Sequence, residues 1–337
     1  MSLPADQPLA LHIGTEQWPL RNPFRISGHT MTQLDVVVAT VERNGVQGRG
    51  EAAGVDYRGE SPAGMVAQLE AVRQTIENGI SRVAVQSLLP AGGARNALDC
   101  ALWELEAREL RRPVWELAGL SEPRPLLSTY TIGADDPPAM ARRAREFAPA
   151  RALKLKLIGD AADAERVRAV RAARPEVWLG VDANRGFTIP HLQELQPVLE
   201  ACRVELIEQP FPVGQEPRLS ELHSSIPIAA DESAQSSEDL PRLAGRFNTV
   251  NIKLDKCGGL TEGLRMAAAA RRLGLDVMIG NMVGTSLAMA PAYLVGQSCQ
   301  IVDLDGPLLL ASDRPAAVSY RDGYLQCDER VWGYCAT

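Results

Sequence analysis

From residue 125 onward the chain alternates between two hydrophobic patterns. Short apolar runs fall at residues 126–132, 152–157, 177–183, 203–209, 227–232, 249–254, 276–281 and 300–305. Between them lie stretches such as DPPAMARRAREFA, DAERVRAVRAA and TEGLRMAAAARRLG, whose apolar residues recur at helical spacing. Several of the short runs, ALKLKL, VWLGVDA, RVELIEQ and PIAADE among them, carry charge toward the C-terminal end. Such a run reads as a strand buried on both faces, with its tip in a polar site. Eight such strands with helices between them predict a closed parallel barrel. An open doubly wound sheet would need a glycine-rich phosphate loop after its first strand, and TIGADDPPAM is not one.

The preceding residues follow another pattern. ALHIG and LDVVVATVE read as antiparallel strands, and Asn44-Gly45 as a two-residue hairpin turn. The stretch QWPLRNPFRISGHT between them holds Pro19, Pro23 and Gly28 and reads as a loop. Ser61 followed by Pro62 marks a helix start. A second helix, ARNALDCALWELEAREL, puts Leu98, Ala101, Leu102 and Leu105 on one stripe and its Glu and Arg residues on a solvated face. In the tail, Asp322-Gly323 predicts a hairpin returning to the N-terminal domain. The division expected is an α+β domain over 1–124, a barrel over 125–314 and a C-terminal segment over 315–337.

Composition narrows the function classes. The chain has 337 residues, 45% of them hydrophobic, and a net charge of -7 without a basic block. That argues against a nucleic-acid backbone groove, which needs clustered Lys and Arg. No run reaches the roughly 18 apolar residues of a membrane span, and the first residues lack the pattern of a signal peptide. The six cysteines contain no CxxC pair, which suits a reduced cytoplasmic chain, although Cys327 and Cys335 are near enough in sequence for a local bridge.

The charged strand ends carry the chemistry. Lys154 and Lys156 share one face by the two-residue period, as do Asp182 and Asn184. Glu208, then Asp231 and Glu232, then Lys256, then Asp303 and Asp305 stand at later strand ends. Asp182, Glu208 and Asp231 come from three adjacent strands, and three buried carboxylates together are costly without a cation. Their oxygen donors suit Mg²⁺, and the lack of a His or Cys cluster argues against zinc; ordinary salt bridges to the lysines are the alternative. Lys156 and Lys256 would face each other across the barrel. Two such bases can remove a proton from one face of a carbon acid and return one to the other. Asp303 and Asp305 could receive an ammonium group or cap the following Gly-Pro turn. Arg21 and Arg25 could bind an anion or face solvent.

KLK at 154–156, DAN at 182–184, EQP at 208–210, DES at 231–233 and KLDKCGG at 253–259, in this order, resemble the enolase superfamily in its muconate-lactonizing subgroup. The likeness runs from about residue 10 to 330. It implies a modified (β/α)₇β TIM barrel with an N-terminal α+β capping domain built from both chain ends. It implies Asp182, Glu208 and Asp231 as ligands of one Mg²⁺, Lys156 and Lys256 as the acid/base pair, and Lys154, Asn184 and Glu232 as supporting groups. DLDGP at 303–307 resembles the DxD feature of L-Ala-D/L-Glu epimerases, where two aspartates hold the dipeptide ammonium. The resemblance gives Arg25, with Arg21 as the alternative, to the glutamate side and lines the dipeptide site with Thr131. It thus implies epimerisation of the C-terminal residue of a dipeptide through an enediolate, in reuse of murein peptides, and leaves a homo-oligomer open. The sequence departs from many relatives at 281–286, NMVGTS, which bears on dipeptide preference. The rivals are an N-acylamino acid racemase or o-succinylbenzoate synthase on the same scaffold and, more remotely, a non-catalytic binding barrel.

Overall fold

The computed structural model describes residues 7–26, 29–222 and 224–335. Strands β1 (Ala10–Ile26), β2 (His29–Arg43) and β3 (Val46–Ala52) form an antiparallel sheet in that order. Asn44 and Gly45 both take positive φ, 53° and 78°, as the expected tight hairpin requires. The stretch read as a loop is instead mostly strand: β1 and β2 continue past Pro19 to pair Phe24 with Met31 and Arg25 with Thr30. Trp18, Leu20, Phe24 and Met31 pack with Leu34, Val36 and Leu310, and this apolar strip holds the arm together. Pro19 borders the register shift and Pro23 lies within it, where a missing N–H costs no ladder bond. Residues 27 and 28, Gly28 of the predicted loop among them, lie outside the described residues. The arm reaches the barrel, where Leu20 bridges to Leu310 and the Ala134 N–H donates to Arg25 O at 3.0 Å.

Ser61 caps the helix Pro62–Ala71 by accepting from the Gly64 N–H. The helix Gly93–Leu110 is more deeply buried than its stripe predicts, with Arg95, Asn96, Asp99 and Glu104 among its buried residues. The charged face expected in solvent meets the barrel and the C-terminal segment instead. Each charge there has a partner: Glu104 accepts from Arg49, Arg108 and the Gly333 N–H, and Arg95 donates to Cys257 O. The opposite face packs on β3 so closely that a Cβ on Gly50 would stand 2.1 Å from Ala97 O.

After β4 (Leu126–Leu127), the barrel runs β5 (Thr129–Ile132), β6 (Ala152–Lys156), β7 (Trp178–Asp182), β8 (Leu206–Glu208), β9 (Ile228–Ala230), β10 (Thr249–Ile252), β11 (Asp276–Gly280) and β12 (Ile301–Asp303). These form one 8-stranded parallel sheet in sequential order, nearly closed into a barrel, with helices following the strands. Leu153, Leu155, Val181 and Ile252 face outward into the helical layer. Leu206, Ala229 and Met278, with Trp178 and Ile301 against them, fill the barrel floor. Two positions on from Leu206, Ala229 and Ile301 stand Glu208, Asp231 and Asp303. The floor is therefore apolar and the mouth is charged. Strands β13 (Ser319–Arg321) and β14 (Tyr324–Gln326) form the expected tail hairpin, but it pairs with β4 rather than with the capping sheet. Further along the tail, Trp332 Nε1 donates to Arg49 O of β3 at 2.9 Å. Cys327 and Cys335 are not joined in a disulfide. No helix among the described residues is long and apolar enough to cross a membrane.

Gly50→Ala should lower stability by about 1–3 kcal/mol through overpacking, read as a lower denaturant midpoint. Gly14→Ala, on β1 with nothing within 4 Å of the added methyl, should change it by less than about 0.5 kcal/mol.

Candidate active site

The polar inward positions converge at the C-terminal mouth. β6 supplies Lys154 and Lys156, β7 Asp182, β8 Glu208, and the residue after β9 is Asp231. The register sets Lys156 beside Asp182 and Asp182 beside Glu208. Ligand oxygens of Asp182, Glu208 and Asp231 lie within 4.8 Å of one another, and all three residues are buried. Lys156 Nζ meets Asp182 Oδ2 at 2.5 Å. Lys154 Nζ stands 3.1 Å from Glu208 Oε2 and also donates to Asp303 Oδ2. Lys253, one residue past β10, meets Asp231 Oδ2 at 2.7 Å.

Burial is not offset equally at the three carboxylates. Burial and the neighbouring Asp182 charge push Glu208 up to about 7, against the pull of Lys154. Burial would raise Asp231 too, but the Lys253 and Lys256 ammonium groups overcome it and hold that carboxylate below its usual range. Burial, with the charges of Asp231 and Asp182, pushes Glu232 up to about 8. Asn184 Oδ1, Glu232 Oε2 and Asn251 Oδ1 are buried without a hydrogen-bond partner among the described residues. All three neighbour the triad: the Asn184 N–H donates to Asp182 Oδ1, Asn251 Nδ2 donates to Glu208 Oε1, and Glu232 follows Asp231 in the chain. Buried acceptors left open around three carboxylates fit a hydrated cation with oxygen ligands. The triad can coordinate a divalent metal ion.

Two family models cover most of the chain. The N-terminal domain of mandelate racemase / muconate lactonizing enzymes matches residues 9–119, and an enolase C-terminal domain-like model matches 139–331. The chain belongs to the enolase superfamily. Within its muconate-lactonizing subgroup it is close to L-Ala-D/L-Glu epimerases. It is 39% identical to the L-Ala-D/L-Glu epimerase of Escherichia coli over 92% of this chain and 97% of the relative. It is 43% identical to an N-acetyl-D-glutamate racemase of Pseudoalteromonas over 73% of this chain and 78% of that one. A crystal structure of an enolase family member from Agrobacterium tumefaciens, with homology to dipeptide epimerases and with sodium and L-Ala-L-Glu bound, superimposes with a TM-score of 0.93. That match covers 97% of this chain and 100% of the other, at 41% identity. The protein is thus an enolase superfamily enzyme of the epimerase and racemase type, with a triad suited to a divalent metal.

The sequence reading names Lys256 as the partner of Lys156; the structure places Lys256 and the nearby Lys253 differently. Lys256 lies on a short helical turn, Leu254–Cys257, and its side chain is fully buried. Its ammonium donates to Asp231 O, Asp231 Oδ1 and Asn251 O, at 2.5, 2.6 and 2.9 Å. Burial pulls this ammonium below its usual range, yet all three donors are spent on protein oxygens. Lys253 donates to Asp231 Oδ2 alone among the described residues. It stands two residues after Asn251, the inward residue of β10, so it faces the barrel axis. The alternation that identifies Lys154 with Lys156 would have picked Lys253.

Of the other expected residues, Glu232 pairs with Arg185 at 3.1 Å. Asp303 accepts from Lys154 and the Thr129 and Thr131 hydroxyls, while Asp305 accepts from the Thr131 N–H at 2.5 Å. Burial and the Asp303 charge push Asp305 up to about 6. Arg25, exposed, lines a cleft of about 630 Å³ together with Thr131 and Arg21. Arg21 is turned to Leu310 O at 3.3 Å. The 281–286 stretch packs on this side of the mouth, Asn281 Nδ2 donating to Asp303 O and the Thr285 N–H to Glu51 of the cap.

A divalent cation held by the triad, at about 100 times its Kd, should stabilise the protein by about 2.7 kcal/mol, read as a rise in unfolding midpoint and as heat of binding in calorimetry. Asp182→Asn should remove most of both signals.

Proposed function

We propose that the protein epimerises the C-terminal residue of an acidic dipeptide of the L-Ala-D/L-Glu type, with Mg²⁺ as cofactor and with Lys156 and Lys253 as the two bases. The observation that carries this reading is the placement of the two lysines. β6 and β10 stand four places apart in the eight-strand order, on opposite sides of the barrel, and the triad lies on the strands between them. Each lysine keeps a single carboxylate partner, Asp182 for one and Asp231 for the other.

When bound, the cation would hold the substrate carboxylate and offset the negative charge that grows there as the α-proton leaves. Lys156 and Lys253 then meet the α-carbon from opposite faces. One accepts the proton and the other donates its own, and the roles exchange with the direction of reaction. Lys154 holds Glu208 and Asp303 in place; Lys256 holds Asp231 by its carboxylate and its backbone. Asn184 and Glu232 steady the ligands from outside. Asp305 receives the free ammonium group of the dipeptide, because the Asp303 carboxylate is already engaged by Lys154 and Thr129. Arg25, with Thr131 beside it, faces the acidic side chain. Reuse of murein peptides is the setting that such a substrate suggests.

The likeness to an N-acetyl-D-glutamate racemase favours a second reading, in which the substrate is an N-acylated glutamate and no ammonium is bound. Asp305 distinguishes the two. Asp305→Asn should raise KM for L-Ala-L-Glu about 10- to 100-fold and leave any exchange of N-acetylglutamate unchanged. α-Proton exchange in D₂O with N-acetylglutamate, and none with free dipeptides, would contradict the dipeptide proposal.

Two further outcomes follow from the geometry. Lys156→Ala and Lys253→Ala should each lower epimerisation by about 10²–10⁴-fold while keeping α-proton exchange from one epimer, a different epimer in each case. Because Asp305 titrates near 6, above the ordinary carboxylate value, it is charged above that pH and neutral below it. KM for a free dipeptide should therefore be flat above pH 6 and rise by up to about tenfold per unit below it, and this rise should be absent in Asp305→Asn.

A further inference from the structure

The double glycine of KLDKCGG has no part in the proton transfer described above. Gly258 and Gly259 take φ of 81° and 114°, and the space where their side chains would stand is filled by the capping domain. A Cβ on Gly258 would lie 2.2 Å from Arg95 Nε, and one on Gly259 2.5 Å from Asp99 Oδ2. Both residues belong to the long buried helix Gly93–Leu110.

Arg95 Nη2 donates to Cys257 O at 2.5 Å and Nε to Gly258 O at 3.3 Å, while Nη1 is anchored on Gln86 O and Leu89 O within the cap. Asp99 accepts from the Thr261 N–H at 2.9 Å, and Trp103 Nε1 donates to Thr261 Oγ1 at 2.9 Å. From the other side, the cap's Gly54 N–H donates to Asp255 Oδ1 at 2.9 Å. The clamped segment is one turn long and begins at Lys253, whose carbonyl accepts from the Lys256 and Cys257 N–H groups at 3.0 Å. A shift of its far end therefore moves Lys253 within a single helical turn.

Among the described residues Lys156 has no such tether. The loop after it is held within the barrel, where Asp163 accepts from the Ile158 and Gly159 N–H groups and is gripped by Arg166 and His191. The two bases are thus supported by different parts of the molecule.

We propose that Arg95 is a positioning residue for Lys253, and that the capping domain sets one of the two half-reactions while leaving the other to the barrel. This inference rests on the two-lysine reading above. Its consequence is asymmetric: loosening the Arg95 clamp should impair proton removal from the epimer that Lys253 serves and spare the epimer that Lys156 serves. Misplacement of a reacting group by about 1 Å costs on the order of 10²-fold, so a selective loss of about 10- to 100-fold is expected.

The experiment measures initial α-proton wash-out into D₂O, with Mg²⁺ present, from L-Ala-L-Glu and from L-Ala-D-Glu separately. The proteins are the parent, Lys253→Ala, Arg95→Met and Arg95→Lys. Lys253→Ala identifies the epimer that depends on Lys253. Arg95→Met should lose wash-out from that same epimer by about 10- to 100-fold and change the other by less than about twofold. Arg95→Lys keeps the charge but cannot span two carbonyls as the guanidinium does; it should show the same bias to a smaller degree, and it carries the test if Arg95→Met does not fold. Equal losses from both epimers would overturn the inference and leave the proposed function standing. A parent that exchanges with neither epimer would overturn the proposed function and this inference with it.

Discussion

Everything at the barrel mouth answers to one constraint, the burial of three carboxylates on neighbouring strands. Asp182, Glu208 and Asp231 cannot all stay charged out of water without nearby positive charge. In the protein alone that charge comes from lysines. Lys156 faces Asp182, Lys154 faces Glu208, and Lys253 and Lys256 face Asp231. The match is incomplete at Glu208, which is the ligand that burial and Asp182 push toward neutrality. On the proposed reading a dication held by Asp182, Glu208 and Asp231 would complete the match and would leave Lys156 and Lys253 free to meet a substrate. Lys154 and Lys256 keep other acceptors and stay in place.

The same arrangement explains the layering of the fold. The barrel floor is closed by Leu206, Ala229, Met278 and the ring of Trp178. Gly180 leaves room for that ring, since a Cβ there would stand 2.8 Å from it. Above this floor, Asp182, Glu208, Asp231 and Asp303 line the mouth with charge. The capping domain then contributes on two sides. Its hairpin arm brings Arg25 to the cleft beside Thr131, and its buried helix grips the turn that follows β10. The cap is therefore tied by polar bonds to the turn that begins at Lys253, and through Arg25 it lines the cleft beside Thr131.

How much of this could be read in advance depended on whether one period was enough. The barrel, the triad, Lys154 with Lys156, and Asp303 with Asp305 follow from strand alternation and from charge at the ends of apolar runs. Lys256, named from the sequence, ends the charged stretch, while Lys253 is the residue in phase with Asn251; a turn after the strand breaks the phase, and the sequence carries no mark of where that turn begins. The arm of β1 and β2 looked like loop because its prolines and arginines hide a narrow apolar strip whose partner, Leu310, lies far along the chain. The charged face of the helix Gly93–Leu110 looked solvated because its acceptors, Cys257 O and Gly258 O among them, belong to the barrel. Where an element packs on two partners, a single stripe cannot show the second.

The most direct test is a crystal structure with Mn²⁺ in place of Mg²⁺ and a slowly turned-over acidic dipeptide, read by anomalous scattering. The account predicts one anomalous peak among Asp182, Glu208 and Asp231, with the nitrogens of Lys156 and Lys253 on opposite faces of the dipeptide's C-terminal α-carbon and Lys256 still bound to Asp231. A peak elsewhere, both nitrogens on one face, or Lys256 at that carbon would contradict it.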